Sequence, residues 1–493
     1  MRVRRGIALW VNLLEQQWTE ERTSAVARVA MAAALVLTVG FCSLAIWGIL
    51  ENPAGLLLPC ALLALTGILG LGILSFYTRA HPAAGLVSVF AVALLARLFF
   101  LTVWPITPVD DFASAYQLAQ KIAAGGLEQA RAAATDSQNL YGTIWSVHMP
   151  FVLTESAVLR LLGGGVPTLQ ICFAVCGAAS CLLTGRIASA LLDAQTGWCA
   201  GMMMALNPAA LYFTSVLTNQ HIALAFCLLA VWLLLARPLP RDWCNTFLGG
   251  AALAASNLLR PEMAVVVLAI ACYAIYRALC QRRWRQKAKV LLQGGVRTGV
   301  VAVWMIGATV AVSALLLQFQ VIQQPMTQPH MAYKLAVGLN SRAGGMWNLQ
   351  DAALEHDEAA LRKLVWQRLQ DPEAVLQLCK EKIQYQFGTY DYCWSSAQGA
   401  QLSAQNLRHG MSQGWMLVVL ALFGGSVAMQ TMRRETAVLP LLLVALGYVA
   451  TFALIEVQDR YNYLLLPFFT MVAAWIPVEL LGRGTQSFQR NKT

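Results

Sequence analysis

The sequence predicts an all-α polytopic membrane protein of about 12–13 transmembrane helices, with outer loops that carry interfacial helices. Three observations predict it. Of 493 residues, 58% are hydrophobic and 12% charged, with a mean hydropathy of +0.58, too much apolar side chain for a soluble fold of this length to hide. The apolar residues come in runs close to the roughly 20 that cross a bilayer. The basic residues gather between those runs: Met1–Arg5, Arg237–Arg241, Arg277–Arg297, Arg433-Arg434 and Arg483–Lys492. A net charge of +11 therefore follows from the cytoplasmic bias of Lys and Arg and needs no nucleic acid as partner.

The chain to about Arg22 reads as an amphipathic surface helix, with Ile7, Leu9, Trp10, Leu13, Leu14 and Trp18 on one face. No cleaved signal is expected, because the first apolar run is long and lacks a small-residue cleavage site. Spans follow at about 26–50, 55–77 and 84–104. Starting inside, three crossings leave Asp110 and Asp111 outside. The first outer loop, 105–146, is too long for a turn, and Phe112, Ala115, Leu118, Ala119 and Ile122 give it a helical apolar face.

Further candidate spans lie at about 146–163, 167–190, 197–217, 219–236, 244–259, 262–280, 296–318, 414–431, 437–456 and 462–481. Basic clusters read back from the C-terminus put Arg260, the 319–413 region and Glu456–Arg460 outside. Thirteen full crossings would contradict that, so one candidate is not a simple crossing. The stretch 146–163 carries His148, Glu155 and Arg160, and 197–217 is broken by Asn207-Pro208. A partial or interfacial path over 141–163 reconciles the counts.

The chain divides accordingly into residues 1–83, a surface helix with two spans; 84–318, a transmembrane core; 319–413, an outer helical region; and 414–493, the last spans and a basic tail. Within 319–413, helices are expected over 351–370 and from Asp371-Pro372, where Asp caps and Pro takes the first helical position. Between them and the core lies a Gly- and Asn-rich stretch, Gly338-Leu339-Asn340 to Gly344-Gly345-Met346-Trp347-Asn348. It is a binding loop or a connector. Ten of twelve cysteines sit in or beside apolar runs, as small hydrophobes do. Cys379 and Cys393 fall in the polar region, where an oxidising compartment would allow a disulfide.

Four polar clusters share the outer side: Asp110/Asp111, His148, Arg260-Pro261-Glu262, and Glu456-Val457-Gln458-Asp459-Arg460-Tyr461. Adjacent carboxylates at a span mouth repel each other and lose hydration, a cost usually tolerated for a site. The plainer reading is a solvated cap on the span. An Arg offers a planar fork matched to phosphate, yet Arg460 could equally pair with Glu456 four residues back on a helix. A span-end ion pair explains Arg260 and Glu262. His148 is more often a satisfied polar residue than a base.

In chain order there is an apolar span, then Pro-Val-Asp-Asp-Phe (108–112) with Tyr116, then Asn207-Pro208 with Tyr212. Leu258-Leu259-Arg260-Pro261, the Gly-Met-Trp-Asn loop and Glu456–Tyr461 follow, the last just before the final span. Together these resemble the GT-C fold glycosyltransferases of the protein O-mannosyltransferase and aminoarabinose transferase type, a family 39-like pattern running from about 84 to 481. The resemblance implies a GT-C-like architecture and transfer of a sugar from a polyprenyl-monophosphate lipid to an acceptor at the outer face. It implies Asp111, or its neighbour Asp110, as the essential acid of the first outer loop, and Arg460 with Arg260 as binders of the lipid phosphate. His148, Gln458, Tyr461, Trp347 and Asn348 become candidate substrate contacts. Some such enzymes use a divalent metal; one clear acidic pair favours metal-free chemistry here. The pattern departs from the family in having two spans before the first motif and no large C-terminal outer domain, so residues 1–83 lie outside the resemblance.

A transporter or lipid flippase, using the outer charges as a gate, is the alternative, but no inverted repeat or mid-membrane charge path is visible. A non-catalytic scaffold is a third reading. With no organelle-targeting or retention signal in view, the expected location is a bacterial plasma membrane.

Overall fold

The computed structural model describes residues 24–104, 106–136, 141, 145–236, 242–326, 331–388 and 402–481. The expected surface helix over 1–22, the basic clusters at 237–241 and 483–492, Pro105 and Cys393 lie outside the described residues.

Long apolar sequences make long helices because a bilayer leaves backbone groups no partner but each other. The first three are α1 (Ala25–Glu51), α2 (Leu57–Ser75) and α3 (Pro82–Val103). Ser24 caps α1 by accepting from the Val26 and Ala27 amides. Next come α4 (Asp110–Thr135), α5 (Met149–Leu162) and α6 (Val166–Leu191). The α4 helix kinks at Gly126, whose φ of 67° only glycine adopts readily.

The suspect stretch 197–217 is divided into α7 (Ala194–Ala205) and α8 (Pro208–Phe213). Asn207 breaks it by capping α8, its Oδ1 accepting from the Ala210 amide at 3.1 Å, with Pro208 as the first helical residue. The core continues with α9 (Gln220–Val231), α10 (Asp242–Leu259), α11 (Ala264–Cys280) and α12 (Trp284–Gln318). Four shorter helices follow: α13 (Met331–Gly338), α14 (Leu349–Ala352), α15 (Glu358–Arg368) and α16 (Pro372–Gly388). The chain then returns through α17 (Leu402–Met432), α18 (Leu439–Leu454) and α19 (Leu466–Ala473).

The protein is an integral, multi-pass, all-helical membrane protein. Among the described residues six helices, α1, α2, α3, α6, α12 and α17, are long and apolar enough to cross a membrane. Four shorter apolar helices, Gln220–Ala236, Ala264–Cys280, Leu439–Leu454 and Leu466–Leu481, accompany them. Each of the thirteen expected spans is helical over most of its length. The three outside these ten are 146–163, 197–217 and 244–259, so both suspects fall short. The α5 helix has only 14 residues, about 21 Å at 1.5 Å per residue.

One large core joins α1–α3, α6–α9, α11 and α17–α19. A second packs α4 and α5 against α6 and the end of α12, through Leu118, Ile122, Phe151, Phe173 and Leu316. A small third core, Tyr333, Ala336, Val337 and Leu361, joins α13 to α15. The end of α16 enters the membrane bundle: the Phe387 ring lies 4.8 Å from Phe41 of α1, edge to face. Gly48 makes this approach feasible, since a Cβ there would stand 2.2 Å from the Gln384 carbonyl oxygen.

Candidate functional site

The apolar run of α3 stops at Val103, and Asp110 opens α4 with φ at 50°, a left-handed conformation that Asp tolerates better than most residues. Both acidic residues are exposed in the first turn of α4, where a helix N-terminus favours negative charge. Asp111 faces Arg460, with Oδ2 3.7 Å from Nη2: an ion pair beyond hydrogen-bond reach. Its side chain is 78% exposed while that of Arg460 is 15% exposed, so the carboxylate is open to an incoming molecule and the guanidinium is held.

Three contacts hold Arg460. Its Nε donates to Gln458 Oε1 at 2.6 Å, its guanidinium lies 5.0 Å over the Phe112 ring, and Asp111 takes its outer edge. Residues about 350 positions apart would not reveal this by spacing; the extended chain between α18 and the 3-10 turn Asp459–Leu464 creates it. The helical pairing of Glu456 with Arg460 that the sequence allowed does not form. The helix ends at Leu454 and Ile455 is extended. The Glu456 amide donates to Lys334 O at 3.1 Å and the Val457 amide to Gly345 O at 2.9 Å, which draws the chain out of helical register. Glu456, buried, instead bonds the ammonium of Lys334.

Lys334 is the residue sequence reasoning missed. It lies on α13 with its ammonium 5.3 Å over the Trp145 ring. Burial works against its charge, but Tyr461 and Glu456 outweigh that and hold its pKa above the ordinary lysine value, with Arg460 opposing. Lys382 was missed too. Buried on α16, it donates to the carbonyls of Gly338 (2.9 Å), Ala453 (2.8 Å) and Ile455 (2.5 Å). Three ammonium hydrogens meet three carbonyls, tying the glycine-rich loop to the segment that leads into Glu456. Desolvation pushes its pKa down to about 8. Gly345, at φ 75°, leaves the room: a Cβ there would meet Lys382 Cδ at 2.8 Å. The backbone partners of Lys382 leave no mark in a sequence, and the partner of Lys334 lies 122 positions away, so neither lysine carried a signal.

The remaining candidates divide. Arg260 is buried and doubly bound by Glu262, at 2.8 Å and 3.0 Å, and lies 4.7 Å over the ring of the buried Tyr461, so it braces Tyr461. Tyr141 connects His148 to the acid: its hydroxyl donates to the Asp111 carbonyl at 2.9 Å, and its ring stands 6.4 Å from the His148 imidazole. Burial, then the Asp111 charge, raises the Tyr141 pKa. Trp145 lies 5.9 Å from His148 and 5.9 Å from Tyr333, so one aromatic group joins His148 to Lys334. Asn348 is committed to structure, accepting from the Asp351 amide at 2.9 Å and donating to Asp351 Oδ2 at 2.8 Å. Asn340 and Arg368 complete the ring around that carboxylate. Trp347 is 57% exposed. Cys379 carries a free thiol that donates to Ala453 O at 3.4 Å. Among the described residues no group of three or more His, Cys, Asp or Glu side chains could hold a metal ion.

Fold and geometry thus define a multi-pass membrane protein with a carboxylate and a guanidinium converging at one end of its helices. Residues 150–322, about a third of the chain, match the family described as dolichyl-phosphate-mannose-protein mannosyltransferase, in agreement with the GT-C resemblance drawn from the motifs. The matched stretch contains Arg260 but neither Asp111 nor Arg460. No curated protein matches the chain. Among solved structures, it is similar to the Archaeoglobus fulgidus oligosaccharyltransferase in the apo form, with 12% identity and a TM-score of 0.43, over 85% of this chain and 52% of that one. It is also similar to the archaeal oligosaccharyltransferase AglB from Archaeoglobus fulgidus in complex with an inhibitory peptide and a dolichol-phosphate, with 12% identity and a TM-score of 0.41, over 83% and 51%. The chain spans about half the length of these solved chains.

Proposed function

We propose that the protein is a membrane glycosyltransferase that moves a sugar from a polyprenyl-monophosphate lipid to an acceptor at the outer face of the membrane. The observation that carries this reading is the meeting of exposed Asp111 with held Arg460, 349 positions later, beside the end of an apolar span. The family match over 150–322 supports it. In the reaction, the bond from the sugar's anomeric carbon to the phosphate oxygen breaks, and its electron pair goes to the phosphate. The acceptor oxygen forms the new bond, and its proton passes to Asp111 as general base, an effect typically worth about 10²–10⁴-fold. Arg460 holds the donor phosphate and meets the charge growing on it.

Asp110 tunes its neighbour by like-charge repulsion, and Arg260 acts through Tyr461. His148 and Trp347 border the space for sugar and acceptor; Gln458 aims the Arg460 guanidinium. The apolar helices beside the site would hold the prenyl tail. The test is turnover: purified protein given a labelled polyprenyl-phosphate sugar should release polyprenyl phosphate, and Asp111→Asn should not. Release at the parent rate by Asp111→Asn would overturn the assignment of the base and favour a gate for transport.

A further inference from the structure

We propose that Lys334 is a second cation for the departing lipid phosphate, held by Glu456 until negative charge grows there. This rests on the glycosyl-transfer reading above. Protonation of Asp111 releases Arg460 to the phosphate, and a second cation nearby would share the charge that grows there. A sugar-linked lipid phosphate is a diester with one negative charge. The lipid phosphate that leaves is a monoester, whose second ionisation lies near pH 6, so it gains almost a full charge as the bond to the sugar breaks. Arg460 arrives with one positive charge and a fork suited to two oxygens.

Four charged groups, Lys334, Glu456, Arg260 and Arg460, act electrostatically on Tyr461, and the Arg260 guanidinium lies 4.7 Å over its ring. Arg260 is committed to Glu262 by two contacts. That leaves Lys334, whose ammonium lies 5.3 Å over Trp145, a ring that contacts His148 and through it Tyr141, which bonds the Asp111 carbonyl; Lys334 and Arg460 oppose each other electrostatically. Its side chain is 28% exposed while that of Glu456 is 4% exposed, so the lysine is the partner able to turn toward the open side. Its backbone would not have to move, because its carbonyl stays bonded to the Glu456 amide. The Trp145 face beneath the ammonium gives it a second favourable surface along the way. An ammonium has three hydrogens on a flexible stem, enough to keep Glu456 and reach a phosphate oxygen together. Before transfer, Glu456 offsets Lys334 and Asp111 offsets Arg460; after it, Asp111 is protonated and Arg460 and Lys334 both face the dianion.

The test uses the full chain in lipid nanodiscs and two probes, a polyprenyl monophosphate and its methyl diester, at pH 7.5. The parent should bind the monoester more tightly, by about tenfold, as for one charge-assisted contact. Lys334→Met should erase that preference, weakening the monoester more than the diester; Lys334→Arg should restore part of it. Glu456→Gln should tighten monoester binding, and this arm decides the matter if Lys334→Met does not fold. A preference that survives Lys334→Met, or a Glu456→Gln protein with parent affinity for the monoester, overturns the role of Lys334 and leaves the glycosyl-transfer reading standing. Failure of the parent to bind either probe overturns that reading itself.

Discussion

Arg460 reaches Asp111, Nη2 to Oδ2 at 3.7 Å, and leaves Glu456 to Lys334. The two charge pairs lie side by side and differ in kind. One is loose and half exposed, so the separation costs little when a substrate enters. The other is buried on the carboxylate side, and loss of either partner leaves a charge without its counterpart.

Asp111→Asn should therefore abolish transfer, by about 10²-fold or more, while melting temperature and donor binding stay near the parent values. The amide keeps the shape but cannot take the acceptor proton. Asp110→Asn should weaken turnover less, because it changes only the field on its neighbour. Steady-state kinetics on protein matched by thermal unfolding checks both. Parent turnover in both variants would remove the acidic pair from the chemistry.

The unequal pairs give Arg460 and Glu456 opposite phenotypes. Arg460→Ala should cost about 2–4 kcal/mol of transition-state stabilisation, with a raised donor KM for Arg460→Lys, yet little change in unfolding temperature. Glu456→Gln should lower the unfolding temperature more than Arg460→Ala does, since it strips the partner from Lys334. Equal stability losses in the two variants, with turnover per folded molecule untouched, would make Arg460 purely structural.

The spans and their interruptions were legible because bilayer thickness and proline chemistry act locally: twenty apolar residues, or an Asn-Pro, mean much the same in any context. Asp371-Pro372 likewise opens α16, with Asp371 Oδ1 accepting from the Ala374 amide at 3.0 Å. The conjunction of Asp111 with Arg460 was legible only as shared sidedness, inferred from charge placement. The partner of Glu456 was not legible. It depends on residues 455–458 being pulled straight by amide bonds to Lys334 and Gly345, a tertiary effect that overrides the i,i+4 spacing. The bonds between Asn348 and Asp351 were not legible either: the sequence shows a polar residue in a glycine-rich loop, and only the fold shows Asp351 taking both ends of its amide.

The insertion of α16 beside α1 predicts a sharp contrast between two glycines of one helix. Gly48→Ala would set a Cβ 2.2 Å from a backbone oxygen of α16, whereas a Cβ at Gly40 meets nothing within 4 Å. Gly48→Ala should cost about 1–3 kcal/mol, and Gly40→Ala should be neutral or slightly stabilising. Thermal unfolding in one detergent compares them, and equal melting temperatures would argue against the close packing of these helices.

Acid should loosen the glycine-rich loop through Asp351. Burial raises its pKa, but hydrogen bonds from Arg368, Asn348 and Asn340 outweigh that and leave it below the ordinary aspartate value. A carboxylate depressed on folding adds stability above its unfolded pKa, near 4, which is lost as pH falls through the folded value. Asp351→Asn should thus be less stable than the parent by about 2 kcal/mol at pH 7, with the gap closing below about pH 4. A pH-independent gap would show that the loss is one of packing.

The site requires one more condition, that its parts face the same compartment. The bias of Lys and Arg toward the inner face predicts the Arg277–Arg297 stretch inside and the region around α13–α16 outside. Gln350, exposed on α14, and Gln286, exposed near the start of α12, are suitable reporters. On intact cells a membrane-impermeant thiol reagent should label Gln350→Cys above the parent background. Gln286→Cys should label only after permeabilisation. The opposite pattern would put the Asp111–Arg460 pair on the inner face, where an outer acceptor could not reach it, and the proposed direction of transfer would fall even if the chemistry stood.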